Sequence, residues 1–218
     1  MQTQNDCEEI LFYTTNESIP SIIEGLSPSE RDRILAVCGS GDQPLALLEY
    51  CKVITTDIRP EQIEILFQKI DMLKRNKFID FLEFSKKETS FLEEVNKLRR
   101  EYFNQKGRLE RITARIENLE VVEPMDIEEL SELAYPRFNK VYLSNSLTYG
   151  LKINEHSSKK FLKVYERIPK EGLIYLTEEL PEREALLCNF EDKIDIERTS
   201  RARAKTNYFW MPIVIKKS

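Results

Sequence analysis

The stretch RILAVCGSGDQPLALLEYCKVITTD, Arg33–Asp57, decides the fold. Two short β-rich runs, Ile34–Cys38 and Lys52–Thr56, flank a loop with glycines at 39 and 41. Pro44 falls where a first-turn proline is tolerated, so the spacing predicts a helix from about Pro44 to Tyr50. Strand, glycine loop, helix and strand in that order are the repeating unit of a parallel sheet.

The same alternation continues outward. Upstream, EEILFYTTNESIPSIIEGL holds a short helix with Pro20 near its start. Downstream, Pro60 opens a helix whose Ile63, Leu66, Phe67 and Ile70 share one face. LEVVEP and NKVYLSNS read as strands, SSKKFLKVYERI as a helix, and EGLIYLTEE, EALLCNF and YFWMPIVIKK as the last strands, the final two an antiparallel pair. The expected fold is α/β: a Rossmann-like, mainly parallel sheet with helices on both faces and a terminal antiparallel strand pair. The whole chain, 1–218, is expected to form one domain, with an N-terminal segment 1–30 and a charged helical insertion at about 85–118.

In that insertion Phe91, Leu98, Ile112 and Leu119 share one heptad register, and Val95, Tyr102, Leu109 and Ile116 a second. The stripe belongs to one long helix or to two that meet near NQKG. Two roles stand open for it, packing on its own domain or self-association through 91–119.

A net charge of −5 argues against nucleic acid as a partner. Cysteines 7, 38, 51 and 188 lack CxxC spacing, which fits free thiols in a reducing compartment. The beginning MQTQNDCEEI lacks the basic and apolar regions of a signal peptide, and no apolar run nears the roughly 20 residues of a membrane helix. A cytoplasmic protein is the expectation. His156 is the single histidine, so no multi-histidine metal site is expected and a histidine triad is disfavoured. Chemistry in such a chain rests on a cofactor's reactivity and on positioning.

The loop narrows the cofactor. Glycine permits positive φ and close approach of a ligand to the backbone. A dinucleotide fingerprint would need a third glycine at position 44, where Pro44 also removes an N–H from the helix start. A P-loop is excluded, because no Lys-Ser/Thr pair follows. Asp57 ends the second strand, where an acid accepts hydrogen bonds from both hydroxyls of a ribose. Asp42, inside the loop, is placed for a ligand ammonium or a bound water. A ribose, an ammonium and a carboxylate without a pyrophosphate describe S-adenosylmethionine.

The segments LFYTTNES, ILAVCGSGDQPLALL, VITTDIRPEQIEILFQKI and KVYLSNSLTYG resemble the betaine-lipid synthase family of S-adenosylmethionine:diacylglycerol 3-amino-3-carboxypropyl transferases. The resemblance covers about half the chain. It implies that Gly39, Gly41, Asp42, Asp57, Ile58 and Gln62 lie on the cofactor side, with Ser144 and Asn145 near the reacting centre; Glu17, Ser40 and Ser144 are also expected among the cofactor contacts. By likeness to related S-adenosylmethionine enzymes, Asp126 lies against the adenine. This chain is shorter than the lipid enzymes, so diacylglycerol does not carry over. The acceptor is left as a small or lipid-like molecule.

Several readings stay open at this stage. Asn145 and Tyr149 either orient an acceptor or are ordinary strand-end polar groups. Tyr13 and Glu17 belong to a lid over the cofactor or to a segment docked on the sheet. Arg198, Arg201, Arg203 and Lys205 form a clamp for an anionic acceptor or a solvated hairpin. Attack at the cofactor's methyl carbon transfers methyl, and attack at its γ-carbon transfers aminocarboxypropyl. A module that binds the ligand without turnover is the alternative to an enzyme.

Overall fold

The two runs that flank the glycine loop lie side by side as parallel strands, β1 (Arg33–Val37) and β2 (Lys52–Thr56), in register from Arg33 opposite Lys52 to Val37 opposite Thr56. The structure, a computed structural model, describes residues 12–85, 90–146, 155–177, 190–206 and 211–218, without the side chains of 90–92 and 155–157. Four further strands complete the sheet: β3 (Leu119–Val121), β4 (Lys140–Ser144), β5 (Leu173–Thr177) and β6 (Pro212–Lys216). Their order is β3-β2-β1-β4-β5-β6, parallel except for β6, which runs antiparallel to β5. The antiparallel pair is therefore β5 with β6. The run EALLCNF lies outside the described residues except for its last, Phe190, which packs in the second core.

Side chains alternate between two cores, as the period of a strand dictates. Ile34, Ala36, Val53, Tyr142, Tyr175 and Val214 face one core, while Leu35, Ile54, Val141, Leu143, Ile174 and Ile215 face the other. Both faces must be covered, and helices do so. The first takes α1 (Ile19–Leu26), α2 (Asp42–Leu48), α3 (Pro60–Lys74), α4 (Phe78–Leu82), α5 (Ser90–Phe103) and α6 (Arg108–Thr113). The second takes α7 (Ile127–Leu133) and α8 (Glu155–Arg167). A ninth helix, α9 (Ile196–Arg203), packs on α1 and inserts Ala202 into the first core. Each fully buried leucine or isoleucine contributes about 1.5–3 kcal/mol, so the two cores carry the fold.

Several elements differ from the sequence expectation. The helix after the loop begins at Asp42, two residues before Pro44, with Gly41 as its left-handed N-cap. Helix α7 was not expected from the sequence; Asp126 caps it by accepting from the Glu128 N–H at 3.0 Å. The arginine-rich run is not a hairpin but α9, capped by Asp195. Phe67, expected on the buried face of α3, is 52% exposed, whereas Lys69 is fully buried.

Among the described residues the insertion holds two α-helices, α5 and α6, broken at Gly107, which takes φ +72°. Tyr102, Phe103, Leu109 and Ile112 pack into the first core, so these residues settle on their own sheet. Leu98, from the first register, is 40% exposed, and the inward positions of α5 hold Asn96 and Arg99 instead.

Candidate functional site

In a doubly wound sheet, ligands gather at the carboxyl ends of the strands where the order reverses. Here that point lies between β1 and β4, and a cavity of about 230 Å³ opens over it. The glycine loop forms one wall. Gly39 takes φ +50° and Gly41 φ +81°. A Cβ on Gly41 would stand 3.1 Å from the Leu66 side chain, so this glycine serves the helix start and its packing on α3. Gly41 does not line the cavity; Gly39 and Ser40 do.

Asp57 projects from the end of β2 and ties the loop to the strand. Its Oδ2 accepts the Gly39 N–H at 2.9 Å and its Oδ1 accepts the Arg59 N–H at 3.1 Å. Burial raises the carboxyl above its ordinary range, against the pull of those N–H donors. Ile58 follows, 68% exposed and lining the cavity. Asp126, at the start of α7, lines the same side and pairs with Lys160 from α8.

Asp42 is elsewhere. The expectation that it meets a ligand ammonium is corrected: its carboxylate is fully buried and outside the cavity lining. Lys69 Nζ lies at 2.7 Å from one oxygen and Arg99 Nε at 2.8 Å from the other, which also accepts the Thr15 N–H at 2.9 Å. Burial alone would raise this carboxyl; Arg99 and Lys69 outweigh it and hold it down to about 2. Burial pushes the Lys69 ammonium down to about 8, with Asp42 opposing. Two cations share one anion, and arginine does not give up its proton, so lysine bears the strain. Arg99 also donates to the carbonyls of Phe81 and Leu82.

The N-terminal segment forms the opposite wall. Phe12, Thr14, Thr15 and Asn16 line the cavity, while Tyr13 turns away to meet the Phe84 ring. Gln62 lines the cavity and clamps this segment in place. Its Oε1 accepts the Phe12 N–H at 2.8 Å and its Nε2 donates to the Phe12 carbonyl at 3.0 Å and to the Gly39 carbonyl. Gln43 adds a bond from Nε2 to Thr15 Oγ1 at 2.9 Å. Gln62→Ala removes three partly buried bonds and should cost about 1–3 kcal/mol in a denaturant melt. Hydrogen exchange should quicken selectively at residues 12–15; a uniform rise along the chain would contradict the clamp.

The far end of the cavity is built by β4. Ser144 is non-glycine yet takes φ +55°, where the β4–β5 ladder shifts register between Tyr142 and Ser144. Backbone strain of this kind collects at functional sites. Tyr142, Ser144, Asn145 and Ser146 all line the cavity. Glu17 does not; it sits behind them, 4% exposed. It accepts from Tyr142 at 3.0 Å, from Thr177 at 3.0 Å and from Ser144.

Of the sequence-derived residues, the cavity thus gathers Gly39, Ser40, Asp57, Ile58, Gln62, Asp126, Ser144 and Asn145, and leaves Glu17, Gly41 and Asp42 behind its walls. Tyr149 lies outside the described residues, as does the side chain of His156. Lys160, Gln43 and Met125 also line the cavity and were not foreseen. Lys160 shares its helix with Lys159 and Lys163, and nothing in its local sequence separates it from them.

The arginine run does not line the cavity. Arg198 donates to Ser27 Oγ at 2.7 Å, Arg201 pairs with Glu197, and Arg203 donates to the Pro212 carbonyl, so α9 uses these cations to hold itself and its neighbours. Cys38 and Cys51 are free and buried. Among the described residues, no helix is long and apolar enough to cross a membrane.

A sheet of this order with one antiparallel strand at its end defines a Rossmann-like α/β fold. More particularly, solved methyltransferase structures show a similar form of that fold. The N-methyltransferase NodS of Bradyrhizobium japonicum, solved with S-adenosyl-L-homocysteine, superposes with a TM-score of 0.54 over 90% of this chain and 83% of its own, at 10% identity. A Streptococcus mutans protein, also solved with S-adenosyl-L-homocysteine, gives 0.52 over 94% of this chain and all of its own, 100%, at 10% identity. An rRNA methylase of Streptococcus thermophilus gives 0.50 over 91% and 94%, at 10% identity. No protein-family model and no curated protein matches the sequence. At such identities the likeness establishes the fold.

Proposed function

We propose that this protein binds S-adenosylmethionine in the cavity over β1 and β4 and transfers the methyl group in line to an acceptor that enters beside β4. The observation that carries the reading is Asp57, a cavity-lining carboxylate at the end of β2 bonded to the Gly39 N–H of the glycine loop. The lining fits such a ligand. Asp57 faces the ribose hydroxyls, Ile58 and Asp126 the base, and Gly39 and Ser40 the methionine portion. Ser144 and Asn145 stand at the acceptor end, and Tyr149 is proposed to join them. The structural neighbours solved with S-adenosyl-L-homocysteine support the same reading.

The bound cofactor supplies a carbon made electrophilic by a positive sulfur. The protein's part is to hold that carbon and the nucleophile in line and keep water away. Alignment of this kind is worth roughly 7–11 kcal/mol. A wall made of the clamped segment 12–16 suits both tasks.

The test begins with mass spectrometry of small molecules that copurify with the full chain, where S-adenosylmethionine or its demethylated product is expected. Incubation with S-adenosylmethionine and a small-molecule cell extract should release S-adenosylhomocysteine. Methylthioadenosine would show aminocarboxypropyl transfer instead, the reaction implied by the betaine-lipid synthase resemblance. Tight binding with neither product would make the protein a non-catalytic ligand-binding module. Absence of binding would overturn the reading.

A further inference from the structure

Glu17 is a buried carboxyl whose neighbours are hydroxyls. From β4 come Tyr142 and Ser144, and from β5 Thr177 donates to it while Tyr175 stands close by, bonded to Ser21 of α1 at 2.9 Å. Within its own segment, Thr15 Oγ1 accepts the Glu17 N–H at 3.0 Å. None of these groups carries positive charge. The ionic cluster of Asp42 with Lys69 and Arg99 is already occupied with itself, and Lys160, in the cavity lining, is paired with Asp126. Asp42 and Glu17 therefore stand in opposite states: one buried carboxylate is held by two cations, the other by three neutral donors.

Burying an unpaired charge is costly, and a carboxyl so placed keeps its proton more readily than in water. Burial indeed raises Glu17 above its ordinary range, with Ser144, Tyr142 and Thr177 opposing. What is missing from the cluster is a cation. Two of its three donors, Tyr142 and Ser144, line the cavity, so a positive charge at the β4 end lies one side chain from Glu17. Ser144 both lines the cavity and donates its hydroxyl to Glu17.

We propose that Glu17 is the group that recognises positive charge at the β4 end of the cavity, so that the site prefers a sulfonium ligand to the neutral thioether that remains after transfer. This rests on the S-adenosylmethionine reading and deepens it. A cation in the cavity favours the ionised carboxyl, which therefore releases a proton to solvent as the sulfonium ligand binds. The neutral thioether lacks that charge and releases none. Preference for the sulfonium form clears the site after each turnover.

The experiment is calorimetry of the full chain with S-adenosylmethionine and, separately, S-adenosylhomocysteine, from pH 5.5 to 8 in pairs of buffers with different ionisation heats. The sulfonium ligand should bind about tenfold tighter, the scale of a charge pair partly screened by protein and water. Its binding should release a fraction of a proton, and its advantage should grow with pH through the Glu17 titration and then level off. Asp57 meets the ribose common to both ligands, so its contacts there cancel in the comparison. In Glu17→Gln the ratio of the two affinities should fall to within about twofold of unity, and the difference in proton release should vanish.

Equal affinities without proton release in the unsubstituted protein would overturn the proposal while leaving the cofactor reading intact. So would a Glu17→Gln variant that keeps the preference. Binding of neither ligand would overturn the cofactor reading itself. The measurements on the unsubstituted chain stand whether or not the variant folds.

Discussion

Asp57→Ala is expected to weaken S-adenosylmethionine binding about a hundredfold, the loss of two charge-assisted hydrogen bonds at about 1.5 kcal/mol each. The carboxylate lines the cavity, and its backbone partners, the N–H groups of Gly39 and Arg59, hold it in place without satisfying every lone pair. Two ribose hydroxyls fit what is left. The stability of the ligand-free protein should change far less. Removing Asp57 loses two loop bonds but also relieves a carboxylate whose burial disfavours its charge. This split between affinity and stability separates a ligand contact from a scaffold residue. A thermal melt within a few degrees of the parent, together with a hundredfold loss in calorimetry, is the expected pair of results. Unchanged affinity would remove the cofactor assignment altogether.

The sign of the pH effect follows from the same residue. A raised carboxyl pKa in the folded state means the folded chain binds more protons than the unfolded one between the ordinary value of 3.8 and the raised one. Stability therefore falls as pH rises through that window. Ligand affinity should move the other way, rising as Asp57 ionises and becomes the stronger acceptor. Opposed trends in one window would not arise from general acid unfolding.

The strands and the glycine loop were legible because their signals are local. RILAV and KVITT are short apolar runs with turn residues at both ends, and parallel pairing follows from the helix between them. Asp57 was legible for the same reason, since it ends a readable strand, whereas Ile58 and Gln62 came only from the betaine-lipid synthase resemblance. Helix α7 was missed because DIEELSEL is short and half acidic, although Asp126 with Glu129 three residues on is a capping pattern. The arginine run was read as charge, and its helix depends on the Asp195 cap and on packing against α1. Asp42 misled most. An acid in a glycine loop looks like a ligand group, and its owner, Arg99, lies 57 residues away in sequence. One hint was present: Arg99 follows Val95 by four positions, so a guanidinium falls on the stripe expected to be apolar.

That buried cluster carries the largest expected effect on stability. Asp42→Ala would leave the Lys69 ammonium and the Arg99 guanidinium buried without their anion, and would free the Thr15 N–H. Breaking a buried pair in this way costs about 3–5 kcal/mol, a large share of the roughly 5–15 kcal/mol that a domain possesses. Because Asp42 joins α2 to α3, α5 and the N-terminal segment, the cavity wall should loosen with it. Asp42→Asn/Lys69→Met removes one charge of each sign, leaves Arg99 its bonds to the Phe81 and Leu82 carbonyls, and should recover much of the loss. The pH dependence has two arms. Asp42, held down to about 2, contributes stability that is full above its ordinary 3.8 and disappears as pH falls through 2. Lys69, pushed from 10.5 down to about 8, has the same sign in its own window: the unfolded chain binds more protons there, so stability rises again with pH between those values. Urea melts from pH 2 to pH 10 would display both arms, and Lys69→Met should abolish the alkaline one while keeping the acid one through Arg99. An alkaline rise that survives Lys69→Met would assign it to another group, and a mild Asp42→Ala phenotype would mean that the cations find other partners or water.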